Sequence, residues 1–456
     1  MNTLIYTSLL GVGCLVVEML NQRKLVLPFA VVGLLAILGM NIQTWGLNQS
    51  FYHNMVLSDN FSEAFSSLLI FLTILILVLA NDFFRNEASK ISDYVSILVF
   101  TLSGAIAMVS FGNMAMFFLG LEVLSISLYI LAGSKRKDIR SNEAGMKYFL
   151  MGSFASGVLL FGIALIYGET GSFDIARIGN YVHNTMPSIL FYIGAGMILV
   201  AMLFKVSAVP FHFWAPDVYD GSPTLVTIMM VSVTKIAAFA GFYRLFSECF
   251  STTLPLYGLA LSIITALTMI VGNFTALHQN SFKRLLAYSG ISHAGYMMLG
   301  IISLSGKTDE SIFYYAVAYG IASIAAFATA IVVAESTGSD NIDSFNGLGK
   351  KNPFLAVALT ISILSMAGIP PLAGFFGKYY IFSEAIRNGH IILTIIAIIN
   401  SMVGVYYYFK VMIAMFTEGD NGSTIRVPAS YLIIIGFCAL LVILFGIFPS
   451  VILSLI

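Results

Sequence analysis

The sequence predicts an all-α polytopic membrane protein with about fourteen transmembrane helices. Its residues are 59% hydrophobic and only 10% charged, which excludes an ordinary soluble domain. Apolar stretches of roughly 17–25 residues, the length that crosses a bilayer, recur along the whole chain. Because the formal net charge is zero, nucleic acid is not an expected partner. The apolar composition instead makes the lipid bilayer the expected surroundings.

Each predicted span is an apolar segment bounded by short polar loops. In chain order, the spans lie at about residues 2–20, 26–46, 65–81, 92–110, 114–132, 146–168, 188–216, 223–246, 254–276, 285–304, 311–335, 353–387, 391–416 and 428–453. We expect the first span to be retained rather than cleaved as a signal peptide, because no Lys or Arg precedes Arg23. The loops are too short for a soluble domain, so we expect one membrane domain over residues 1–456.

The distribution of positive charge predicts the orientation of the chain. Counted from the first, the odd-numbered loops hold Arg23, Lys24, Arg85, Lys90, Lys135, Arg136, Lys137, Arg140, Lys147, Lys283, Arg284, Lys350, Lys351 and Arg426. The even-numbered loops hold Arg177, Lys307, Arg387 and, at a helix end, Arg244. Since Lys and Arg concentrate in cytoplasmic loops, the odd loops are predicted to be cytoplasmic and both termini to lie outside.

Spans seven and twelve are predicted to be discontinuous helices. Pro210 and Pro216 interrupt span seven, and Pro370 and Pro371 interrupt span twelve, because proline removes a helix donor and clashes with the preceding turn. In lipid, the freed backbone groups need partners from protein or cavity water. The two breaks are five spans apart, and an odd number of crossings reverses the orientation of the next unit. We therefore expect two inverted five-helix repeats, spans 4–8 and spans 9–13.

These repeats divide the single membrane domain into four segments. They are an N-terminal three-helix segment at 1–90, the first repeat at 91–246, the inverted second repeat at 254–416 and a C-terminal helix at 428–456.

A row of ionisable side chains on five different spans shares roughly one depth in the membrane. Its members are Glu122, Lys205, Lys235, His293 and Lys378. Each charge costs about 2.5–3.5 kcal/mol at a helix centre, so such groups face inward, pair or line water, and a string of them predicts a proton relay. Glu122 close to Lys205 would hold that lysine charged, and separating the two would release its proton. His212, inside the break of span seven, is a candidate cavity-lining residue.

Each member of the row also has a structural interpretation. Glu122 and Lys205 could form a static ion pair that fixes packing. Lys235 could bond to backbone carbonyls, and His293 could be a neutral core histidine bonded to Ser or Tyr. Lys378 could extend outward from its broken helix towards the membrane surface.

Other residues fit plainer roles. Lys410 is expected to extend to the cytoplasmic surface from span thirteen, and the run Tyr406–Tyr408 fits packing. The three cysteines are far apart and form no CxxC pair, so neither a metal site nor a disulfide framework is indicated. The catalytic motifs HExxH, GxSxG and GxGxxG are missing from the sequence.

Five stretches of this chain resemble the antiporter-like, proton-pumping subunits of respiratory NADH:quinone oxidoreductase (bacterial complex I). They are LGLEVLSISLYIL at 119–131, LFKVSAVPFHFWAPDVYDGSPTLV at 203–226, VTKIAAF at 233–239, FKRLLAYSGISHAGYMMLG at 282–300 and MAGIPPLAGFFGKYYIF at 366–382. Within this family, the chain is similar to subunit N. It lacks the long lateral helix of subunit L, and Lys378 stands where M-like chains carry glutamate.

The resemblance implies roles for the buried row and for partner subunits. Glu122 would modulate Lys205, the proton-carrying lysine; Lys235 would be the central connecting lysine; and Lys378 would serve the outward half, with His293 between them. FMN, iron–sulfur clusters and quinone would belong to partner subunits, and this chain would hold no cofactor. It would contact neighbouring antiporter-like and small membrane subunits in the bacterial inner membrane.

Two other functions remain open from the sequence. The chain could be a subunit of a multi-subunit sodium/proton antiporter, which shares the superfamily. It could also be a structural membrane scaffold whose buried charges only hold helices together. Sodium-dependent activity without redox partners would favour the antiporter subunit. Intact turnover of the assembled complex after charge neutralisation would favour the structural scaffold.

Overall fold

A computed structural model describes residues 2–84, 91–304, 306–417 and 424–456. Arg85 and Lys90, which we assigned to a cytoplasmic loop, lie outside the described residues. Within them the chain is mostly helical, with one antiparallel hairpin of strands β1 (Gln49–Phe51) and β2 (Val56–Ser58). The hairpin falls in the loop between spans two and three.

The described residues of the first half of the chain form eleven α-helices. They are α1 (Asn2–Met19), α2 (Arg23–Gln43), α3 (Asn60–Phe83), α4 (Ile91–Ser110), α5 (Met114–Ala132), α6 (Ile139–Thr170), α7 (Ile175–Asn184), α8 (Ile189–Lys205), α9 (Trp214–Gly221), α10 (Thr224–Met229) and α11 (Lys235–Glu248). A π-helical turn, Met230–Thr234, joins α10 to α11, so that these three pieces form one continuous span, Thr224–Glu248.

Nine further α-helices lie in the part of the second half that the structure describes. They are α12 (Leu254–Leu277), α13 (Phe282–Ile302), α14 (Thr308–Thr337), α15 (Leu348–Lys351), α16 (Pro353–Ala367), α17 (Ala373–Arg387), α18 (Ile391–Phe416), α19 (Ala429–Ile447) and α20 (Ser450–Leu453). A single 3-10 turn, Ile342–Phe345, precedes α15.

All fourteen predicted spans correspond to helices. Within the described residues, 11 helices are long and apolar enough to cross a membrane. The other three spans are α1, the pair α8 and α9, and the pair α16 and α17. The prediction that spans seven and twelve are discontinuous is therefore confirmed, whereas the repeat symmetry and the four-segment division stay predictions.

Two elements were not expected from hydropathy. Helix α6 begins at Ile139, well before the apolar stretch, because Asp138 caps it by accepting a hydrogen bond from the Arg140 backbone. Helix α7 forms in the loop after span six, and Asp174 caps it in the same way through the Arg177 backbone. Both starts depend on a capping aspartate rather than on an apolar segment.

The centre of the bundle is formed by α10–α11, α13 and α14. The apolar windows of Thr224–Glu248 and Thr308–Thr337 are 100% buried, whereas that of Arg23–Gln43 is only 28% buried. Helix α14 contacts α13, α16, α17 and α19. The helices that carry Lys235 and His293 therefore lie inside the protein, where a polar side chain must find its partner within the bundle.

Candidate functional site

The break in span seven is held by side chains that bond to the freed backbone. The indole Nε1 of Trp214 donates to Phe204 O at 3.1 Å, and the backbone N of Val209 donates to Thr268 Oγ1 at 3.0 Å. Since lipid offers no partner for these groups, such protein contacts are what allow an interrupted helix inside a membrane.

Lys205 is the last residue of α8 and is 7% exposed. Its Nζ donates to Ser125 Oγ on α5 at 2.6 Å. Glu122 lies one turn before that serine, and its Oε1 is buried without a hydrogen-bond partner in the described part of the chain. Among the described residues no carboxylate lies within 4 Å of Lys205 Nζ, so the static ion pair is not the arrangement in this structure.

A small cavity adjoins the Lys205 ammonium, between α5, α6 and α8. Ser125, Tyr129, Tyr148 and Ser156 contribute polar atoms to its lining. Its volume of about 10 Å³ is about the room that one water molecule needs. A water there would give Lys205 a mobile partner beside Ser125.

Lys235 begins α11 directly after the π-helical turn and is 2% exposed. Its Nζ donates to Gly290 O on α13 at 2.7 Å. A Cβ at Gly290 would lie 3.2 Å from that Nζ and 3.1 Å from Tyr319 Oη, so glycine leaves room for the lysine. A π-helical turn interrupts the regular ladder and is frequent at functional sites.

His293 follows Gly290 by one turn of α13 and is buried. Its Nδ1 lies 2.6 Å from Tyr315 Oη, and its Nε2 lies 3.3 Å from Tyr408 Oη. Tyr408 also bonds to Ser289 on α13. Both ring nitrogens therefore face hydroxyls, which can donate or accept as the tautomer requires.

A second small cavity lies beside His293 and reaches the break of span twelve. Tyr315, Ser365 and Gly374 are among its lining residues. It too measures about 10 Å³, room for about one water molecule. The cavity thus places a water-sized space between His293 and the broken helix.

Lys378 on α17 reaches back across the break of span twelve. Its Nζ donates to Ala367 O, the end of α16, and to Ser401 Oγ, both at 2.8 Å. The ammonium also lies 5.1 Å from the centre of the Tyr296 ring. Lys378 is 7% exposed, so it points into the bundle and not towards the membrane surface.

Two further candidates are placed apart from the lysine row. His212 is buried in the break between α8 and α9, and its Nδ1 has no hydrogen-bond partner within the described residues. Its ring packs against Phe213 at 4.4 Å between centres. Lys410 is exposed on α18, as expected for a lysine that extends to the surface.

The partners of the row were largely invisible in the sequence. Ser125, Tyr315, Tyr408 and Ser401 were not singled out, and Tyr408 was interpreted as packing. The one available signal was Ser125, which follows Glu122 at helical spacing on the same face of α5. The carbonyl partners carry no sequence signal at all, because any residue type has one.

A charged cluster at the end of span seven links three helices. Asp217 on α9 accepts from Lys147 on α6 at 2.9 Å and from Arg284 on α13 at 3.0 Å. Lys283 donates to the backbone oxygens of Asp220 and Ser222 at 2.9 and 2.6 Å. These contacts join the segment after the break to α6 and α13, and so fix its position.

No group of three or more His, Cys, Asp or Glu side chains that could hold a metal is found in the part of the chain that the structure describes. The three cysteines are buried and unpaired.

Fourteen spans with two broken helices, each with a buried lysine, define an antiporter-like membrane subunit. The family model "NADH:quinone oxidoreductase/Mrp antiporter, TM" matches residues 112–404. NADH-quinone oxidoreductase subunit N of Flavobacterium psychrophilum is 49% identical over 100% of both chains, and that of Cytophaga hutchinsonii is 44% identical over 100% of this chain and 99% of its own. The chain belongs to the NADH-quinone oxidoreductase subunit N family, which confirms the resemblance.

Solved structures agree with this assignment. A chain of respiratory complex I from Thermus thermophilus superposes with a TM-score of 0.85 at 30% identity, covering 99% of this chain and 98% of that one. A chain of the Mrp complex from Dietzia superposes with a TM-score of 0.90 at 20% identity, over 99% and 95% of the two chains. The second likeness shows the fold alone.

Proposed function

We propose that this chain translocates protons as a membrane subunit of an NADH:quinone oxidoreductase. The observation that carries the proposal is that three buried lysines, on three different helices, each donate to neutral oxygens. Lys205 donates to a serine hydroxyl, Lys235 to a backbone carbonyl and Lys378 to a carbonyl and a serine hydroxyl. Because no fixed carboxylate pairs with these ammonium groups among the described residues, the protonation of each lysine can respond to charges that move.

The proposed relay runs from Glu122 through Lys205, Lys235 and His293 to Lys378. When Glu122 approaches Lys205, the ammonium is favoured, and when it withdraws, the proton is released towards Lys235. His293 then passes a proton between its two ring nitrogens, each of which faces a tyrosine hydroxyl. Waters in the two small cavities would bridge the gaps that side chains do not span.

The energy for this cycle would come from electron transfer elsewhere in the complex. FMN, the iron–sulfur clusters and the quinone site would lie in partner subunits, and this chain would contact other membrane subunits. The relatives that support this are named as subunits of NADH-quinone oxidoreductase. We place the chain in the bacterial inner membrane with both termini on the periplasmic side, on the ground of its loop charges.

The test measures protons moved per NADH oxidised in inverted membrane vesicles that contain the assembled complex. Lys205→Met and Lys235→Ala should each abolish most proton uptake while the complex still assembles. Lys410→Met is the matched control, because it removes a lysine of the same length from an exposed position. Unchanged proton uptake per NADH in the first two variants would refute the relay.

The same variants separate the competing functions. If the buried charges only hold helices together, Lys205→Met and Lys235→Ala lower the amount of assembled complex, and the complex that remains pumps normally. If the chain belongs to an antiporter, the activity lost is sodium–proton exchange and not NADH-driven uptake. Quantifying flavin per membrane protein alongside both transport assays distinguishes these outcomes.

A further inference from the structure

A third buried polar pocket lies away from the lysine row, at the end of the bundle where α1 and α3 begin and α2 and α4 finish. Its polar lining comes from Thr3, Asn41, Ser62, Glu63, Ser66 and Ser110. The enclosed space is about 10 Å³, which suits about one water molecule or one small ion. Four helices thus contribute polar atoms to one small site that the relay does not use.

Glu63 is the charged group of this pocket. It lies in the first turn of α3 and is 5% exposed. Its Oε1 accepts a hydrogen bond from the Ser58 hydroxyl, whereas its Oε2 is buried and has no hydrogen-bond partner among the described residues. Because a buried carboxylate oxygen is strongly disfavoured without a partner, the geometry calls for a proton or a cation at Oε2.

Among the described residues, no neighbouring charge bonds to Glu63 Oε2, although the Thr44 hydroxyl and the amino group of the chain both act on this carboxyl. Asp59 lies one turn before Glu63, and Arg244 reaches this region from α11, but Arg244 donates to Asp59 at 2.6 Å. The charged residues of the described α1, α2 and α4 lie towards their opposite ends, at Glu18, Arg23, Lys24 and Asp93. The amino group of residue 1 lies outside the described residues.

Asn41 is oriented so that its oxygen serves the pocket. Its Nδ2 donates to Glu63 O at 3.0 Å and to Ser67 Oγ at 2.9 Å. Its Oδ1 is left on the side of Thr3, whose hydroxyl lies 2.6 Å away. The Asn41 amide is therefore held with its oxygen, and not its nitrogen, next to the Thr3 hydroxyl that lines the pocket.

We propose that this pocket binds a small monovalent cation, either a proton or a sodium ion, with Glu63 as its charged ligand. One carboxylate balances one positive charge, and hydroxyl and amide oxygens are the hard donors that such a cation takes. With the orientation that the loop charges predict, the pocket lies at the periplasmic end of these helices. The site is then a place where the chain takes up or releases a cation outside the lysine row.

The test uses the assembled complex in native membranes and labelling with dicyclohexylcarbodiimide, which reacts with protonated carboxyl groups in apolar surroundings. Adducts at Glu63 are quantified by peptide mass spectrometry, in choline or in sodium buffer, across a pH series. If the ligand is sodium, a concentration about ten times its Kd leaves about a tenth of the sites open, so labelling falls about tenfold at fixed pH. If the ligand is the proton, labelling falls as pH rises and sodium has no effect.

Either response supports the proposal, and labelling that responds to neither pH nor sodium overturns it. Glu384 is the internal control, because it is equally buried but already bonded to Arg387 at 2.8 Å, so sodium should not change its labelling. Thr3→Val removes one lining hydroxyl at constant shape and should weaken any protection by sodium.

A second readout covers the case in which the reagent does not reach the pocket. The infrared C=O band of a protonated carboxyl should change when sodium is added or pH is raised, and the change should be missing in Glu63→Gln. If the unaltered complex shows no band that Glu63→Gln removes, the proposal fails. Neither readout depends on NADH oxidation, so the result stands whatever the lysine variants show.

Discussion

Replacing Gly368 by alanine should displace Lys378 from the end of α16 and reduce proton translocation. Gly368 has a φ of +85°, a left-handed conformation that costs alanine about 1–2 kcal/mol. An added Cβ would also lie 2.9 Å from Lys378 Cδ and 3.1 Å from its Nζ. The ammonium would lose its hydrogen bond to Ala367 O, which is worth about 1.5–3 kcal/mol for a charged donor. At about 1.4 kcal/mol per factor of ten, the population with the lysine in place falls about ten- to hundredfold.

Gly338→Ala is the matched control for this substitution. Gly338 ends α14 with a φ of +74°, so alanine meets the same backbone strain, but its Cβ would have nothing within 4 Å. Both variants should lower the Tm of the complex through backbone strain, and Gly368→Ala should lower it further because it also displaces Lys378. Only Gly368→Ala should lose proton uptake per NADH in inverted vesicles. Equal uptake in the two variants would refute the argument that Lys378 must lie against the end of α16.

Three further predictions concern other contacts. Trp214→Phe keeps an aromatic ring but removes the indole donor, so that the Phe204 carbonyl keeps only backbone donors such as Ser207 N at 3.0 Å. The complex should therefore lose about 0.5–1.5 kcal/mol of stability, and an unchanged Tm would contradict this. Ser125→Ala removes the acceptor of the α8 lysine and should slow proton uptake at constant complex content; an unaltered rate would show that the hydroxyl is not used. Burial alone would raise the pKa of the Asp59 carboxyl, but the charge and hydrogen bond of Arg244 and the hydrogen bonds from Ser62 together lower it by more, so the net pKa lies below its usual value. The stabilisation is therefore complete above the unfolded pKa of about 3.9 and is lost only as pH falls through the lower folded pKa. The protection of the first-turn amides of α3, which is the exchange rate relative to the intrinsic rate at each pH, should stay constant from about pH 8 to pH 5, and weaker protection at pH 5 would count against the pair.

The spans and their breaks were predictable because the bilayer imposes them. A hydrocarbon layer about 30 Å thick demands apolar helices of a set length, so each span leaves a local signal in hydropathy. Proline leaves an equally local signal, and Pro210 and Pro371 do fall between the two halves of spans seven and twelve. Lys235 lies near the middle of the 25-residue span Thr224–Glu248, a position along the helix that counting residues could predict, whereas its depth in the membrane stays a prediction.

The contacts of the site could not be predicted in the same way, because they depend on how helices pack. Gly290 offers its carbonyl to Lys235 only because α13 lies against α11. Tyr408 is one of three consecutive tyrosines, and the rotation of α18 alone decides that it faces His293 while Tyr406 is exposed. Hydropathy does not encode such rotations, since lipid-facing and protein-facing surfaces are both apolar.

The lysines of the two broken spans lie on opposite sides of their breaks. Each is nevertheless associated with the last turn of the helix that precedes its break. Lys205 precedes Pro210 and forms the last turn of α8. Lys378 follows Pro371 and reaches back to Ala367, at the last turn of α16. A helix C-terminus carries about half a negative elementary charge, so both ammonium groups are stabilised by backbone dipoles. A partial charge favours an ammonium less than a carboxylate would, and it cannot move. In the proposed relay, the proton of each lysine would therefore respond to charges that move, which for Lys205 would be the Glu122 carboxylate on α5.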